Sequence, residues 1–213
     1  MRLTLVRHGD AYAGLHGIIG GRLGCAGLTE LGVRQAEALR DHLADTGALR
    51  PDVLMASELP RAVQTAQIIA PALGFDAVAQ DCDLCEVHVG EADGLDWAEW
   101  TTLYGPLDMP AEPDREFAPG GESWNGFHAR VAATMALLAA EHPDRHVVAV
   151  CHAGVIQASL RVVFDIPHPG TGARAQPTNT GLTEWHHDPE LDRWTLHGFN
   201  DITHLRGLAE GHH

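Results

Sequence analysis

The apolar positions of this 213-residue chain switch between two periods, and the switching predicts an α/β fold. Leu3-Thr4-Leu5-Val6 is a short apolar run that stops at Arg7-His8-Gly9, the pattern of a buried strand delivering polar side chains to a sheet edge. Thr29 can cap a helix running to Thr46, with Ala36, Leu39 and Leu43 on one face and Gly47 at its end. Asp52 to Ala56 reads as a second strand. Ser57 to Arg61 then turns into a helix with the stripe Ala62, Ala66, Ile69 and Leu73, closed by Gly74. A shorter third strand is expected over 75–79. The stretch 122–141 predicts a helix with Phe127, Val131, Met135 and Leu138 on one side. His146 to Val150 is continuously apolar, as an interior parallel strand is, and stops at Cys151-His152-Ala153-Gly154. A helix follows to Phe164, a Pro/Gly loop spans 167–177, and strands over 181–186 and 194–199 finish the chain. This alternation predicts a three-layer α/β/α sandwich around a mostly parallel sheet.

Residues 80–120 break the pattern. They are acidic, rich in Trp, Pro and Gly, and predict one short helix over 97–104. A connection of that length reads as a lid or side-wall inserted into one domain covering 1–209. A second irregular stretch, Gly14 to Gly27, is glycine-rich and can fold over a ligand. The ending Glu210-Gly211-His212-His213 reads as a purification-tag remnant at 210–213.

Composition narrows the chemistry. A net charge of −15 argues against nucleic acid and anionic membrane surfaces as partners. No window is long and apolar enough to span a bilayer, and Met1-Arg2 leads straight into the first strand, so the cytoplasm is the expected location. Every basic residue is Arg and none is Lys, which excludes a lysine Schiff base or a P-loop lysine. Cysteines stand at 25, 82, 85 and 151. Cys82-x-x-Cys85 with His88 is half of a metal-site pattern, but no matching second pair exists, so structural thiols are the expected reading, with no metal and no cofactor.

Two strands end in histidine, at His8 and His152, and a third strand–helix turn carries Arg61. If those strands are neighbours, Arg7, Arg61 and two imidazoles converge, joined by amides at the start of the helix near Ala153. Two guanidiniums roughly neutralise a phosphoryl dianion, and a neutral imidazole can attack phosphorus without charge repulsion. Each residue has a plainer alternative: Arg61 could pair with Glu58, His152 could be a core histidine, and Glu86 could be one surface acid among many, with Glu91 as a rival. His16, His42, His128, His142 and His146 read as surface residues.

Arg7-His8-Gly9 resembles the signature of the histidine phosphatase superfamily, in the branch related to cofactor-dependent phosphoglycerate mutase. So do Leu28-Thr29-Glu30-Leu31-Gly32-x-x-Gln35-Ala36, Ser57-x-x-x-Arg61-Ala62-x-x-Thr65-Ala66, Leu84-Cys85-Glu86, Pro119-Gly120-Gly121-Glu122-Ser123, Val150-x-His152-Ala153-Gly154-Val155 and Asn200-Asp201-x-x-His204-Leu205, in the family's order. The resemblance implies His8 as nucleophile, Arg7, Arg61 and His152 on the phosphoryl oxygens, Glu86 as proton donor and then base, and no metal. Two departures stand out. Asp10-Ala11 follows the signature where many relatives have Glu and then Thr or Ser, and the Asn that touches phosphate in mutases is missing, with His16 or Arg22 as substitutes. The acidic 80–120 segment, with Arg115 as its lone basic residue, lacks the arginine pair of a mutase. The expected function is therefore hydrolysis of a small phosphomonoester, with Trp97, Trp100, Tyr104 or Trp124 packing on the leaving group. A phosphoglycerate mutase and a non-catalytic binder of phosphorylated ligands are the alternatives. A homodimer is left open.

Overall fold

The computed structural model describes residues 1–108, 111–166 and 174–208. The expected loop 167–177 lies partly, and the expected tag 210–213 wholly, outside the described residues. The strands are β1 (Arg2–Arg7), β2 (Val53–Ala56), β3 (Ala79–Gln80), β4 (His146–Cys151), β5 (Leu182–Asp188) and β6 (Arg193–Asp201). Among the described residues they form one sheet, ordered β3-β2-β4-β1-β5-β6. The β3–β2, β2–β4 and β4–β1 pairings are parallel, whereas β1–β5 and β5–β6 are antiparallel, so the sheet is mixed with a parallel centre.

The helices are α1 (Tyr12–Leu15), α2 (Glu30–Thr46), α3 (Pro60–Leu73), α4 (Trp97–Tyr104), α5 (Trp124–Glu141) and α6 (Ala153–Val163). Strand alternation divides the core into two layers. Val147, Ala149 and Cys151 of β4 pack with Phe127, Val131 and Ile156 of α5 and α6. Val148 and Val150 face the other way, onto Leu39, Leu43, Ala66 and Ile69 of α2 and α3. This is the predicted three-layer sandwich. Thr29 caps α2 as expected, its hydroxyl accepting from the Gly32 amide at 3.0 Å. Ser123 caps α5 by accepting from the Gly126 amide at 3.1 Å, which starts that helix two residues later than the pattern suggests.

Two expectations are corrected. The third strand is Ala79–Gln80 rather than 75–79, because Phe75 and Val78 pack against the α2–α3 layer instead of extending along β2. His146, which the sequence suggests is a surface residue, is 8% exposed and hydrogen-bonds Thr4 Oγ1 at 2.9 Å across the β1–β4 pair.

The 80–120 segment has a small core of its own, in which Ile19, Ala92, Trp100 and Ala118 are buried and Phe117 stacks on Trp100 with centroids 4.9 Å apart. Ile19 comes from the glycine-rich loop. Ile19 N–H donates to Leu95 O at 2.8 Å and Gly94 N–H to Ile19 O at 2.9 Å, while the Asp93 carboxylate accepts from the Leu23 and Gly24 amides. The two irregular stretches thus hold each other. Among the described residues no helix is long and apolar enough to cross a membrane.

Candidate active site

Register brings the chemistry together. Arg7 of β1 lies opposite Cys151 of β4, so the next residues, His8 and His152, emerge side by side, their ring centroids 5.0 Å apart. Ala56 of β2 lies opposite Val150, which puts Ser57 at the same edge and sends the chain into α3 with Arg61 in its first turn. Gly9 is required by packing: a Cβ there would stand 2.5 Å from the Gly32 carbonyl oxygen of α2. The Gly9 amide donates to Thr65 Oγ1 at 3.0 Å, which fixes the end of β1 against α3.

His8 Nδ1 lies 2.6 Å from the Gly9 carbonyl oxygen. A carbonyl can only accept, so Nδ1 carries the proton and Nε2 keeps its lone pair. That lone pair accepts from Arg61 Nε at 3.1 Å. His8 is 8% exposed, and burial, then Arg61 and Arg7, push its pKa well below the usual histidine value. His152 is fully buried, its Nε2 2.7 Å from Ser57 Oγ, and burial followed by Arg61 and His8 depresses its pKa likewise. Ser57 donates its own proton to Cys85 Sγ at 3.3 Å, so His152 Nε2 is the donor in the His152–Ser57 bond. His152 Nδ1 is buried with no partner.

The two guanidiniums are tethered from behind. Arg61 Nη1 donates to Gly20 O at 2.8 Å, and Arg7 Nη1 donates to Pro177 O at 2.7 Å, leaving Arg7 Nε buried without a partner. Burial pulls the Arg7 pKa down, although Glu86 and Asp10 oppose that shift. Glu86 follows a short 3-10 turn, Cys82–Leu84, and Glu86 Oε2 accepts from the Gly154 amide in the first turn of α6 at 3.0 Å. A Cβ on Gly154 would lie 2.0 Å from Glu86 Oε1, so only glycine admits the carboxylate here. Ala153 opens α6 directly behind His152.

A cleft of about 190 Å³ is lined by Arg7, His8, Asp10, Gly20, Arg61 and Asn179. A second, of about 170 Å³, holds Glu86 together with Arg22, Cys82, Cys85 and His88. A larger concavity, about 890 Å³, touches Asp10 and Asn179 but contains neither His8 nor Arg61, so it does not carry the chemistry.

The structure therefore gathers Arg7, His8, Arg61, Glu86 and His152 at one edge, with Ala153 behind them. It does not bring His16 and Arg22 to the phosphoryl pocket. His16 is exposed and stacks on Tyr12, and Arg22 pairs with Glu58, the partner the sequence offered for Arg61. The loop from Gly14 to Gly27 is anchored through Ile19 and Cys25, and its His16 and Arg22 side chains take partners outside the pocket. None of Trp97, Trp100, Tyr104 and Trp124 lines either cleft. Trp100 is buried in the insertion core, with its indole N–H on Phe117 O at 2.9 Å. Glu91 is exposed and lines neither cleft. Asn179 was missed. It lines the His8 cleft, and its Nδ2 donates to His8 O at 2.9 Å. Its signal was an amide residue just before the strand that pairs with β1.

Comparison with known proteins finds relatives along nearly the whole chain. The family model described as Histidine phosphatase superfamily (branch 1) matches residues 3–202. The chain is 28% identical over 211 residues to a metal-independent phosphoserine phosphatase of Arabidopsis thaliana, covering 97% of this chain and 84% of that protein. It is 31% identical over 214 residues to a glucosyl-3-phosphoglycerate phosphatase of Mycobacterium tuberculosis, covering 93% and 94% respectively. A solved structure of a mutant phosphoserine phosphatase from Entamoeba histolytica, in complex with phosphoserine, superposes with a TM-score of 0.76 at 25% identity, covering 96% of this chain and 98% of that one.

Proposed function

The chain belongs to the histidine phosphatase superfamily, branch 1, and on that premise we propose that it is a metal-independent phosphatase in which His8 takes the phosphoryl group of a small phosphomonoester. One observation carries the reading: His8 Nε2 holds an unprotonated lone pair between buried Arg61 and His152 and half-buried Arg7.

The substrate phosphoryl group replaces the His8 lone pair as the partner of Arg61 Nε, and Arg7 Nε and His152 Nδ1 supply further donors. The negative charge offsets the burial that keeps His152 neutral, so His152 can accept a proton and donate it from Nδ1 as a hydrogen bond. His8 Nε2 attacks phosphorus as the P–O bond to the leaving group breaks. The Gly9 carbonyl holds the Nδ1 proton and faces the charge that develops on the ring. Glu86 acts as the general acid, giving a proton to the departing oxygen. Water then attacks the phosphohistidine, its proton passes to Glu86, and inorganic phosphate leaves with both groups restored.

The acidic insertion suits a leaving group that is neutral or carries an ammonium, as an amino-acid phosphate does. Arg115 supports no mutase-like carboxylate clamp, since its guanidinium is spent on Glu112 and on the carbonyls of Pro106 and Tyr104. The test is phosphate release from phosphoserine, 3-phosphoglycerate and p-nitrophenyl phosphate in EDTA, with and without a bisphosphoglycerate primer. Steady phosphate release without primer supports a phosphatase. Primer-dependent isomerisation of 3-phosphoglycerate faster than phosphate release contradicts it.

A further inference from the structure

The phosphoryl chemistry makes no use of Cys82 or His88, and of Cys85 only as the acceptor of the Ser57 hydroxyl, yet the fold brings the three together. Their two sulfurs and one ring nitrogen all lie within 4.8 Å of one another. We propose that these three side chains form a binding site for a soft divalent ion of the zinc class, on the Glu86 side of the active site and apart from the cleft lined by His8, Arg7 and Arg61.

The spacing fits the ion. Cys82 Sγ and His88 Nε2 are 3.5 Å apart. Zinc–sulfur and zinc–nitrogen bonds at a tetrahedral angle span about 3.6 Å between the donor atoms. Thiolate and imidazole donors select zinc-like ions over magnesium or calcium. Ligation releases one proton from each thiol to solvent and forms two sulfur bonds and one nitrogen bond. The two thiolates then balance the charge of the ion. The three side chains line the 170 Å³ cleft, which leaves the fourth position open to water.

The loop that carries these ligands is held in place. Cys82 and Cys85 are joined through a 3-10 turn, with the Cys85 amide on Cys82 O at 2.9 Å. Arg130 donates to the carbonyls of Asp83, Cys85 and Glu86 at 2.7, 3.0 and 3.2 Å. The same guanidinium grips both oxygens of Glu122 at 2.8 Å. Glu122 in turn accepts from the His88 amide at 2.9 Å and lies 3.7 Å from His88 Nδ1. A carboxylate behind the non-ligating nitrogen is the usual support of a metal-bound imidazole. A second cluster, Glu184, His186 and His197, has no sulfur, and Arg2 already occupies its Glu184 at 2.6 Å.

Cobalt titration of the reduced, chelator-stripped chain tests the site. One equivalent should produce a thiolate-to-cobalt charge-transfer band with tetrahedral ligand-field absorption, and one equivalent of zinc should abolish both. Cys82→Ser and Cys85→Ser should remove the band, and His88→Gln should weaken binding at least tenfold. His212→Ala/His213→Ala should leave it unchanged. For the wild-type chain, which needs no variant to fold, one equivalent of zinc should slow alkylation of Cys82. Cobalt binding without a sulfur band, or alkylation indifferent to zinc, overturns the proposal and assigns any bound ion to histidines elsewhere.

Discussion

Arg61 is the residue on which the pocket turns. It is 6% exposed, one nitrogen faces the His8 lone pair, and another is anchored on Gly20 O. Lysine would keep the charge but lose the fork that serves both partners. Arg61→Lys should therefore lower kcat/KM by roughly 10²–10³-fold with little change in unfolding temperature. A variant as active as the parent would remove Arg61 from the reaction. Glu86 makes a different prediction, because proton donation matters only when the leaving oxygen is basic. Glu86→Gln should slow an alkyl phosphate by roughly 10²–10⁴-fold and p-nitrophenyl phosphate far less. Gly154→Ala, which drives a methyl into the Glu86 carboxylate, should follow the same leaving-group pattern. Equal losses on both substrates would mean that Glu86 positions the substrate rather than moves its proton. At this scale the residues fixed by strand ends were legible in the sequence. His8 and His152 each follow an apolar run, and their place depends only on strand order. Asn179, His16 and Arg22 sit on irregular backbone, where a side chain's direction depends on contacts far along the chain.

At the scale of elements, the glycine-rich loop and the insertion act as one support for Arg61. Asp93 ties down the Leu23 and Gly24 amides, Ile19 bonds to both sides of the Gly94–Leu95 turn, and the next residue supplies the carbonyl that Arg61 holds. Asp93→Ala should loosen this support and cost roughly tenfold in kcat/KM, although Asp93 lies outside the His8 cleft, because small misplacements of a catalytic group are expensive. Steady-state kinetics beside a thermal melt would check this, and unchanged kinetics would show that the loop holds its shape without the insertion. The long helices could be read from the sequence because one apolar stripe and one cap specify each of them. The β3 strand could not, since two paired residues leave too little pattern to distinguish an edge strand from a loop. The Trp residues of the insertion suggested a substrate wall, but Trp100 is used to build a local core, and composition alone does not separate these roles.

Over the whole molecule, the buried histidines set a pH limit. His8 and His152 are pushed well below the usual histidine pKa, and burial, with Arg2 for His146 and His42 for His204, brings those two down to about 4. The unfolded chain takes up these protons first, near pH 6.5, so each such histidine removes stability as pH falls from there toward its folded pKa. The slope reaches about 1.4 kcal/mol per pH unit per histidine. Urea midpoints should hold steady above about pH 7 and fall steeply between pH 6.5 and 4. Equal midpoints at pH 7 and 5 would mean that the four rings are protonated in the folded chain. The sequence reading places His146 on the surface, whereas the structure buries it. Its burial follows from the Thr4 hydroxyl across the sheet, a partner visible only once β1 and β4 are paired.

The most direct test is to trap the covalent species. Acid-sensitive phosphohistidine should be captured by rapid quench of a turning-over reaction in EDTA, followed by peptide mapping under alkaline conditions. One phosphoryl group should be found on the peptide containing His8, on Nε2, and none on a His8→Ala chain, which should also lose nearly all turnover. Turnover that persists in His8→Ala, or a phosphoryl group mapped to His152, would contradict the account.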